Sequence, residues 1–525
     1  MIFGGEAGRM RRGAVGVFGV VAAGVLAVSG AAVPVAADAG PAWGDCPDLR
    51  PVEGAAAECA ALEVPMARGV RGHRAGTVTI ALSRVPARRE RQGTLLVNPG
   101  GPGSPGRELA AVVAAGLPDD LRDSYDVVGF DPRGTGASVP AIACDPGYFD
   151  PVRPDSVPAD AAAEEALLGR AADYARACGE RNGPLLDHVT TVDSARDVED
   201  IRRALDVDRI DYLGYSYGTY LGAVYATLHP DRVRRLVLDS VVNPDTPWYR
   251  ANLAQSRTLD AAARNFFGWT ARHDGEYGLG ATRDEVAANY YAARAALADE
   301  PVAGVVGPTE FESVFLSAAY TSAYWPVLAR ALSAHVVAGD SGMLETAYER
   351  LGENADSDPG FGAYLATECT DAPWPRDYGT WREDGAKTHT EAPFAAWNNI
   401  WYNAPCMFWP GGDRPWFQVD GSEVEDALII HATEDGPTPI AGAHAMRERF
   451  PTARLVVEDG GVSHGVSLNG NACVDRALAD YLRDGTLPEA GGGEGADLTC
   501  APLPEPGPHR PAGHAAPGPG QRLGS

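Results

Sequence analysis

An α/β fold built on a mostly parallel sheet is what the sequence predicts, on three observations. Short apolar runs alternate with helical stretches over residues 40–245. The alternation resumes over 421–500, after a long interval with helical patterning alone. Between one apolar run and a helix-forming stretch stands Gly214-Tyr215-Ser216-Tyr217-Gly218, a tight glycine-flanked turn. Such alternation indicates parallel strands joined by crossover helices.

Taken in order, the first 39 residues have the pattern of an export leader. Arg9, Arg11 and Arg12 precede an apolar stretch over 14–28, and Val35-Ala36-Ala37 or Ala37-Asp38-Ala39 supplies small residues for cleavage. A Sec leader cut near Ala37 or Ala39 and a secreted product are expected. The stretch is rich in Gly and Ala and broken by Ser29, Gly30 and Pro34, so no stable membrane anchor is expected. The eight cysteines agree with export, an even count that points to disulfides in an oxidising compartment. Sequential pairing keeps each loop within one region: Cys46 with Cys59, Cys144 with Cys178, Cys369 with Cys406, Cys473 with Cys500. No C-x-x-C or H-E-x-x-H spacing occurs, so no metal and no cofactor are expected. A formal charge of −27 repels phosphate backbones, and nucleic-acid partners are excluded on that ground.

Residues 93–97 form a predicted strand that opens into the Gly/Pro loop 98–106, and a second strand near 125–130 leads into a turn through Gly134. Ala195, Val198, Ile201 and Leu205 share one face of a helix predicted over 194–205. A strand over 210–213 enters the Gly-x-Ser-x-Gly turn, and helix-forming residues 220–228 leave it until His229-Pro230. The run 235–238 ends at Asp239. Residues 246–420 carry helices near 250–269 and 283–297, with aromatic clusters at 320–325 and 397–409. That interval is too long for a loop and is expected to be a helical cap inserted over the site. Strands near 427–432 and 453–457 complete the sheet over 421–500, and the Pro/Gly-rich tail 501–525 is expected to be disordered.

The chemistry centres on Ser216. A strained turn between strand and helix pushes a serine hydroxyl clear of the sheet, and Gly214 and Gly218 remove side chains that would collide there. The acid is Asp435 or the adjacent Glu434, just beyond the strand 427–432; Asp239 is the rival at the end of 235–238. The base is His464, on the loop after 453–457. His229, before a proline at a helix end, and His431, inside an apolar run, are placed as structural residues, and His444, in a helical stretch, as a surface residue. The order Ser, Asp, His is that of α/β-hydrolase triads. Backbone N–H groups of Gly101 and Tyr217 are placed to form an oxyanion hole. The same loop satisfies the dinucleotide pattern G-x-G-x-x-G over 101–106, but Pro102 and Pro105 lack the N–H groups that bind pyrophosphate.

Together, Asn98-Pro99-Gly100-Gly101-Pro102-Gly103, Gly129-Phe130-Asp131-Pro132-Arg133-Gly134-Thr135-Gly136, Gly214-Tyr215-Ser216-Tyr217-Gly218-Thr219 and Tyr402-Asn403-Ala404-Pro405-Cys406 resemble secreted tripeptidyl aminopeptidases of actinomycetes. These are prolyl-aminopeptidase-like serine peptidases of the α/β-hydrolase fold with a TAP-like C-terminal region. The resemblance implies Asp435 as the acid, because an aspartate followed closely by Thr-Pro, here Thr438-Pro439, marks the family. It implies a serine exopeptidase that releases short peptides from free N-termini; a carboxylesterase on the same fold is the alternative. The partner is then a peptide or small ester. An exopeptidase must hold the substrate ammonium, and Glu368 and Asp371, beside Cys369 in the cap, are the candidates. Ser104-Pro105 and Ser463 depart from the family pattern.

Overall fold

The computed structural model describes residues 40–68, 76–412, 414–491 and 495–509. The expected leader and residues 510–525 lie outside the described residues. Among the described residues one nine-stranded sheet runs in the order β1-β2-β4-β3-β5-β6-β7-β8-β9. Its strands are β1 (Glu58–Pro65), β2 (Thr77–Val85), β3 (Gly93–Asn98), β4 (Tyr125–Phe130), β5 (Ile210–Tyr215), β6 (Val233–Asp239), β7 (Leu428–Ala432), β8 (Arg454–Glu458) and β9 (Leu498–Cys500). β2 pairs antiparallel with β1 and β4, and the rest of the sheet is parallel. β4, β5 and β7 are buried along their whole length, as strands covered on both faces must be.

Register does the positioning. Asn98 is level with Gly214, Tyr215 with Asp239, and Asp239 with Ile430. The loops that leave β3, β5, β6 and β7 therefore emerge side by side at one edge of the sheet. Helix Tyr217–Leu228 follows β5 without an intervening loop and is almost entirely buried. Helix Thr191–Ala204 begins three residues before the predicted start because the Thr190 hydroxyl accepts the Asp193 N–H and caps it there. Ala195, Val198 and Ile201 point inward as expected.

Between β6 and β7 the chain is helical, from Trp248–Arg272 to Ala396–Asn403. Two packings divide this insertion. Phe266, Trp269, Tyr290, Phe311, Phe315 and Trp325 form a core separate from the sheet. Phe361, Trp374, Trp381, Trp397 and Trp401 instead merge with the sheet-face core that holds Tyr212 and Leu236. The second half of the insertion is thus continuous with the sheet layer, because Phe361 meets Phe149 and Tyr174, while ring contacts of Trp381 with Tyr249 and of Phe394 with Phe267 join it to the first half.

The disulfides pair sequential neighbours as expected: Cys46–Cys59, Cys144–Cys178, Cys369–Cys406 and Cys473–Cys500. No helix among the described residues is long and apolar enough to cross a membrane. The tail expected to be disordered from 501 is instead held through 509. The Leu503 N–H donates to Glu458 Oε1 at 3.0 Å, Arg272 meets Glu505 at 2.6 Å, and the indole N–H of Trp269 donates to the Pro506 carbonyl at 3.0 Å. The Tyr277 hydroxyl donates to the Pro508 carbonyl at 3.1 Å. Proline carbonyls need no periodic apolar pattern to be bound, which is why composition alone did not mark this strap.

A chain ending at Pro502 leaves the buried Trp269 indole without its acceptor, at a cost of about 1–2 kcal/mol. Its thermal midpoint is expected to fall by about 2–6 °C in calorimetry; an unchanged midpoint would show that the strap adds nothing to stability.

Candidate active site

Ser216 occupies the turn between β5 and the helix Tyr217–Leu228 with φ +56° and ψ −128°. A non-glycine residue holds that conformation only when its surroundings over-determine it. They do so here: the Ser216 N–H donates to the Asp239 carbonyl at 3.0 Å, and its own carbonyl accepts from the Thr219 hydroxyl at 2.6 Å. A Cβ on Gly214 would lie 2.3 Å from the Gly218 carbonyl oxygen, so the turn closes only with glycine there.

His464 and Asp435 meet at the same sheet edge. Nδ1 of His464 is 3.0 Å from both carboxylate oxygens of Asp435, and both residues are buried. The Thr438 N–H donates to Asp435 Oδ1 at 2.8 Å and steadies the carboxylate from the other side. Glu434, the neighbour left open by the residue pattern, is exposed. Asp239, the rival acid, points elsewhere: its carboxylate accepts the N–H groups of Val466 and Ser467. His431 is buried between the Val241 N–H and the Thr438 carbonyl, His229 ends the helix after Ser216, and His444 lies within Ala441–Arg449.

The Gly/Pro loop after β3 lies directly against the serine. A Cβ on Gly100 would be 2.5 Å from the Tyr215 carbonyl oxygen, 2.8 Å from Ser216 Cβ and 3.0 Å from the Tyr217 nitrogen. Gly101 follows with φ +104° and is exposed. The Asn98 side chain binds the Gly100 N–H at 3.0 Å and fixes the loop's exit from the strand. Helix Asp358–Asp371 roofs this loop, its Gly360 carbonyl so close that a Cβ on Gly103 would come within 2.3 Å.

Glu368 and Asp371, both in helix Asp358–Asp371, have different surroundings. Asp371 is taken up by Thr191, accepting its N–H at 2.9 Å and its hydroxyl at 2.5 Å. It anchors the start of helix Thr191–Ala204, and the Thr191 hydroxyl passes the link to the Tyr217 hydroxyl at 2.7 Å. Glu368 is buried and accepts from the Asn252 amide at 3.1 Å, with the Tyr364 hydroxyl beside it. None of the groups acting on it is a cation. From Asn252 the polar chain runs through Asn399 to Gln255, whose amide donates to the Pro437 carbonyl in the Asp435 loop.

Residues 93–464 match the family described as alpha/beta hydrolase fold. The chain belongs to that family. It is 40% identical over 443 residues to a tripeptidyl aminopeptidase of Streptomyces coelicolor, covering 82% of this chain and 81% of the relative. It is 29% identical to serine protease Hip1 of Mycobacterium tuberculosis over 78% of this chain and 82% of that protein. A third relative, carboxylesterase B of Mycobacterium tuberculosis, is 31% identical over 85% of this chain and 86% of its own length.

Burial sets the electrostatics of this hydrolase. Asp435 is pushed up by burial, but the adjacent His464 and the Thr438 N–H outweigh that effect and leave it below the usual aspartate value. Burial pushes Glu368 up to about 8 and Asp371 up to about 7, the hydrogen bonds only partly opposing it. Some neighbours had no sequence signal. His464 donates its backbone N–H to the Tyr320 carbonyl at 2.8 Å, and the Tyr320 ring meets the imidazole edge-on at 5.6 Å. Tyr320 comes from the insertion between β6 and β7, and only the tertiary fold brings it to the histidine.

Gly100→Ala forces a methyl group into the serine turn at a φ of +99°. Hydrolysis of an activated ester is expected to fall by about 100-fold or more, the scale of one lost oxyanion donor; activity within threefold of wild type would place the oxyanion site elsewhere.

Proposed function

We propose that the protein is an exported serine exopeptidase that releases short peptides, tripeptides first among them, from free N-termini. Ser216 attacks the scissile carbonyl while His464 takes its proton, and the N–H groups of Gly101 and Tyr217 hold the developing oxyanion. The tetrahedral intermediate collapses as His464 returns the proton to the leaving amine. Water then repeats the sequence on the acyl-enzyme. Asp435 keeps the Nδ1–H tautomer and stabilises the imidazolium. The helical segment 246–420 acts as the cap that closes over the acyl site. Export fits the four disulfides, which persist in oxidising compartments.

Glu368 is the observation that favours a peptide over an ester. A buried carboxylate with no cation acting on it and only the Asn252 amide and Tyr364 hydroxyl as donors keeps acceptor capacity for an ammonium. Burial first, then Asp371, and to a smaller degree Glu368 raise the pKa of Tyr217, the residue after Ser216, so both carboxylates lie on its side of the site. Asp371 is left out of this role because Thr191 already engages both of its oxygens. The named relatives include peptidases and an esterase, so the substrate test is decisive between them.

The test compares a tripeptidyl p-nitroanilide, its N-acetylated form and a short p-nitrophenyl ester. Ser216→Ala is expected to lower kcat on all active substrates by about 10⁴-fold or more. Glu368→Gln is expected to raise KM for the free-amine peptide about 10- to 100-fold, the scale of one charged hydrogen bond, and to leave the ester unchanged. Cleavage of the ester alone would move the protein to the carboxylesterases.

The pH dependence carries its own sign. With its pKa raised to about 8, Glu368 is protonated in the empty site at pH 6, and an arriving ammonium must expel that proton. KM for the free-amine peptide should therefore fall from pH 6 to about pH 8, by up to about tenfold per unit, and rise again as the substrate amine loses its proton. KM for the ester should stay flat across the same range. A peptide KM that does not fall between pH 6 and 8 would remove Glu368 from the ammonium site.

A further inference from the structure

One buried carboxylate beside the nucleophile has no part in the chemistry above. Asp239 ends β6 with no exposed surface and no Arg or Lys in an ion pair with it among the described residues. Its Oδ2 accepts the Ser467 N–H at 2.7 Å and the Ser467 hydroxyl at 2.5 Å, and its Oδ1 accepts the Val466 N–H at 3.0 Å. The next residue, Ser240, accepts the Gly465 N–H on its hydroxyl at 2.7 Å. Three consecutive amides, all directly after His464, are thus gathered by two consecutive side chains. The same Asp239 holds the nucleophile's N–H on its backbone carbonyl at 3.0 Å.

We propose that Asp239 is the positioning residue of the general base: its carboxylate fixes the loop that carries His464, while its backbone carbonyl fixes Ser216, so that one residue sets the two partners of the proton transfer relative to each other. The proposal rests on His464 being the base. An aspartate suits the task because a carboxylate is acceptor-only and offers two oxygens to converging N–H donors. An amide at the same place would turn an N–H toward the loop's own N–H groups. Gly465 at φ +75° and Leu468 at φ +61° flank Val466 and Ser467, so the loop turns sharply on both sides of the residues the carboxylate holds, adding to the bond from the His464 N–H to the Tyr320 carbonyl. The ionisable groups that face Asp239 are His464 from the held loop and Tyr215 from β5, whose hydroxyl also touches Ser467 Oγ at 3.2 Å. Burial pushes Asp239 up to about 6, the hydrogen bonds from Ser467 and Val466 and the nearby His464 only partly opposing it; once ionised, its negative charge favours the imidazolium formed in the reaction.

The role differs from that of Asp435, which touches the imidazole itself. Asp239 acts only through where the imidazole sits, so its loss should cost rate and not substrate affinity.

Asp239→Asn, Ser467→Ala and Asp435→Asn are compared singly, with the double variant Asp239→Asn/Asp435→Asn, in the full chain on the substrate that wild type cleaves best. Readouts are kcat and KM per serine titrated by a fluorophosphonate, the rate of that labelling, and the thermal midpoint. Asp239→Asn is expected to lower kcat and the labelling rate together by about 30- to 300-fold, with KM within threefold. Ser467→Ala, which keeps every backbone bond, is expected to lower kcat about 3- to 10-fold with the midpoint down by about 2–6 °C, since its buried hydroxyl also meets Tyr215, and it decides the matter if Asp239→Asn does not fold. The double variant should lose much less than the product of the single losses, since both act through one imidazole. A folded Asp239→Asn with kcat within threefold of wild type overturns the proposal. So does a loss that disappears when rates are expressed per titrated serine, or single losses that multiply in the double variant. If Ser216→Ala is inactive while these outcomes fail, the site stands and only this role for Asp239 falls; if Ser216→Ala remains active, the reading of the site has failed first.

Discussion

The register between β5, β6 and β7 is the constraint on which the rest of the molecule depends. Tyr215, Asp239 and Ile430 lie level in adjacent parallel strands, so the residues that follow them leave the sheet at one height. A slip of one residue in β6 would turn its apolar side chains to the wrong face and carry Asp239 away from both Ser216 and Val466. Burial on both faces makes such a slip costly, since β5, β7 and the last four residues of β6 have no exposed side to offer. The precision of the site is therefore inherited from the core, and the loops have only to turn.

Buried charge separates structural from chemical roles. Arg133 is buried against Asp197, which also meets Arg68, and Arg153 is buried against Glu310, so each of these buried charges has an opposite charge beside it. Asp239, Glu368 and Asp371 have no such cation among the described residues. Asp239 and Asp371 are instead satisfied by backbone N–H groups and hydroxyls, which is how a carboxylate is made into a strut. Glu368 has one amide and a neighbouring hydroxyl, far less than its lone pairs accept, and this deficit distinguishes it from the other two.

Much of this was legible in the sequence because the chemistry sits where strands end. Ser216, Asp435 and His464 each follow an apolar run, and glycines mark the two places where backbone must pass close to backbone. The fold class and the disulfide partners followed from equally local signals. What escaped detection depends on residues far apart in the chain. Asp239 differs from any aspartate at a strand end only through Val466 and Ser467, and Asp371 differs from Glu368 only because Thr191 stands beside it. The helix start at Thr191 was missed because the cap lies outside the periodic apolar pattern, and the strap at 503–509 because it is bound through main-chain carbonyls.

The insertion between β6 and β7 has a consequence in time as well as in space. Ser216 and the strand that supports it are made early, whereas the amides that follow His464 are 225 to 228 residues beyond their partners on Ser240 and Asp239. A chain emerging from its N-terminus displays the nucleophile long before the base, the acid or the roof exists. The candidate site is therefore incomplete in any partial chain until nearly the last strand has arrived. Interrupting the sheet between Ser216 and His464 thus defers assembly of the candidate site to the last stage of synthesis.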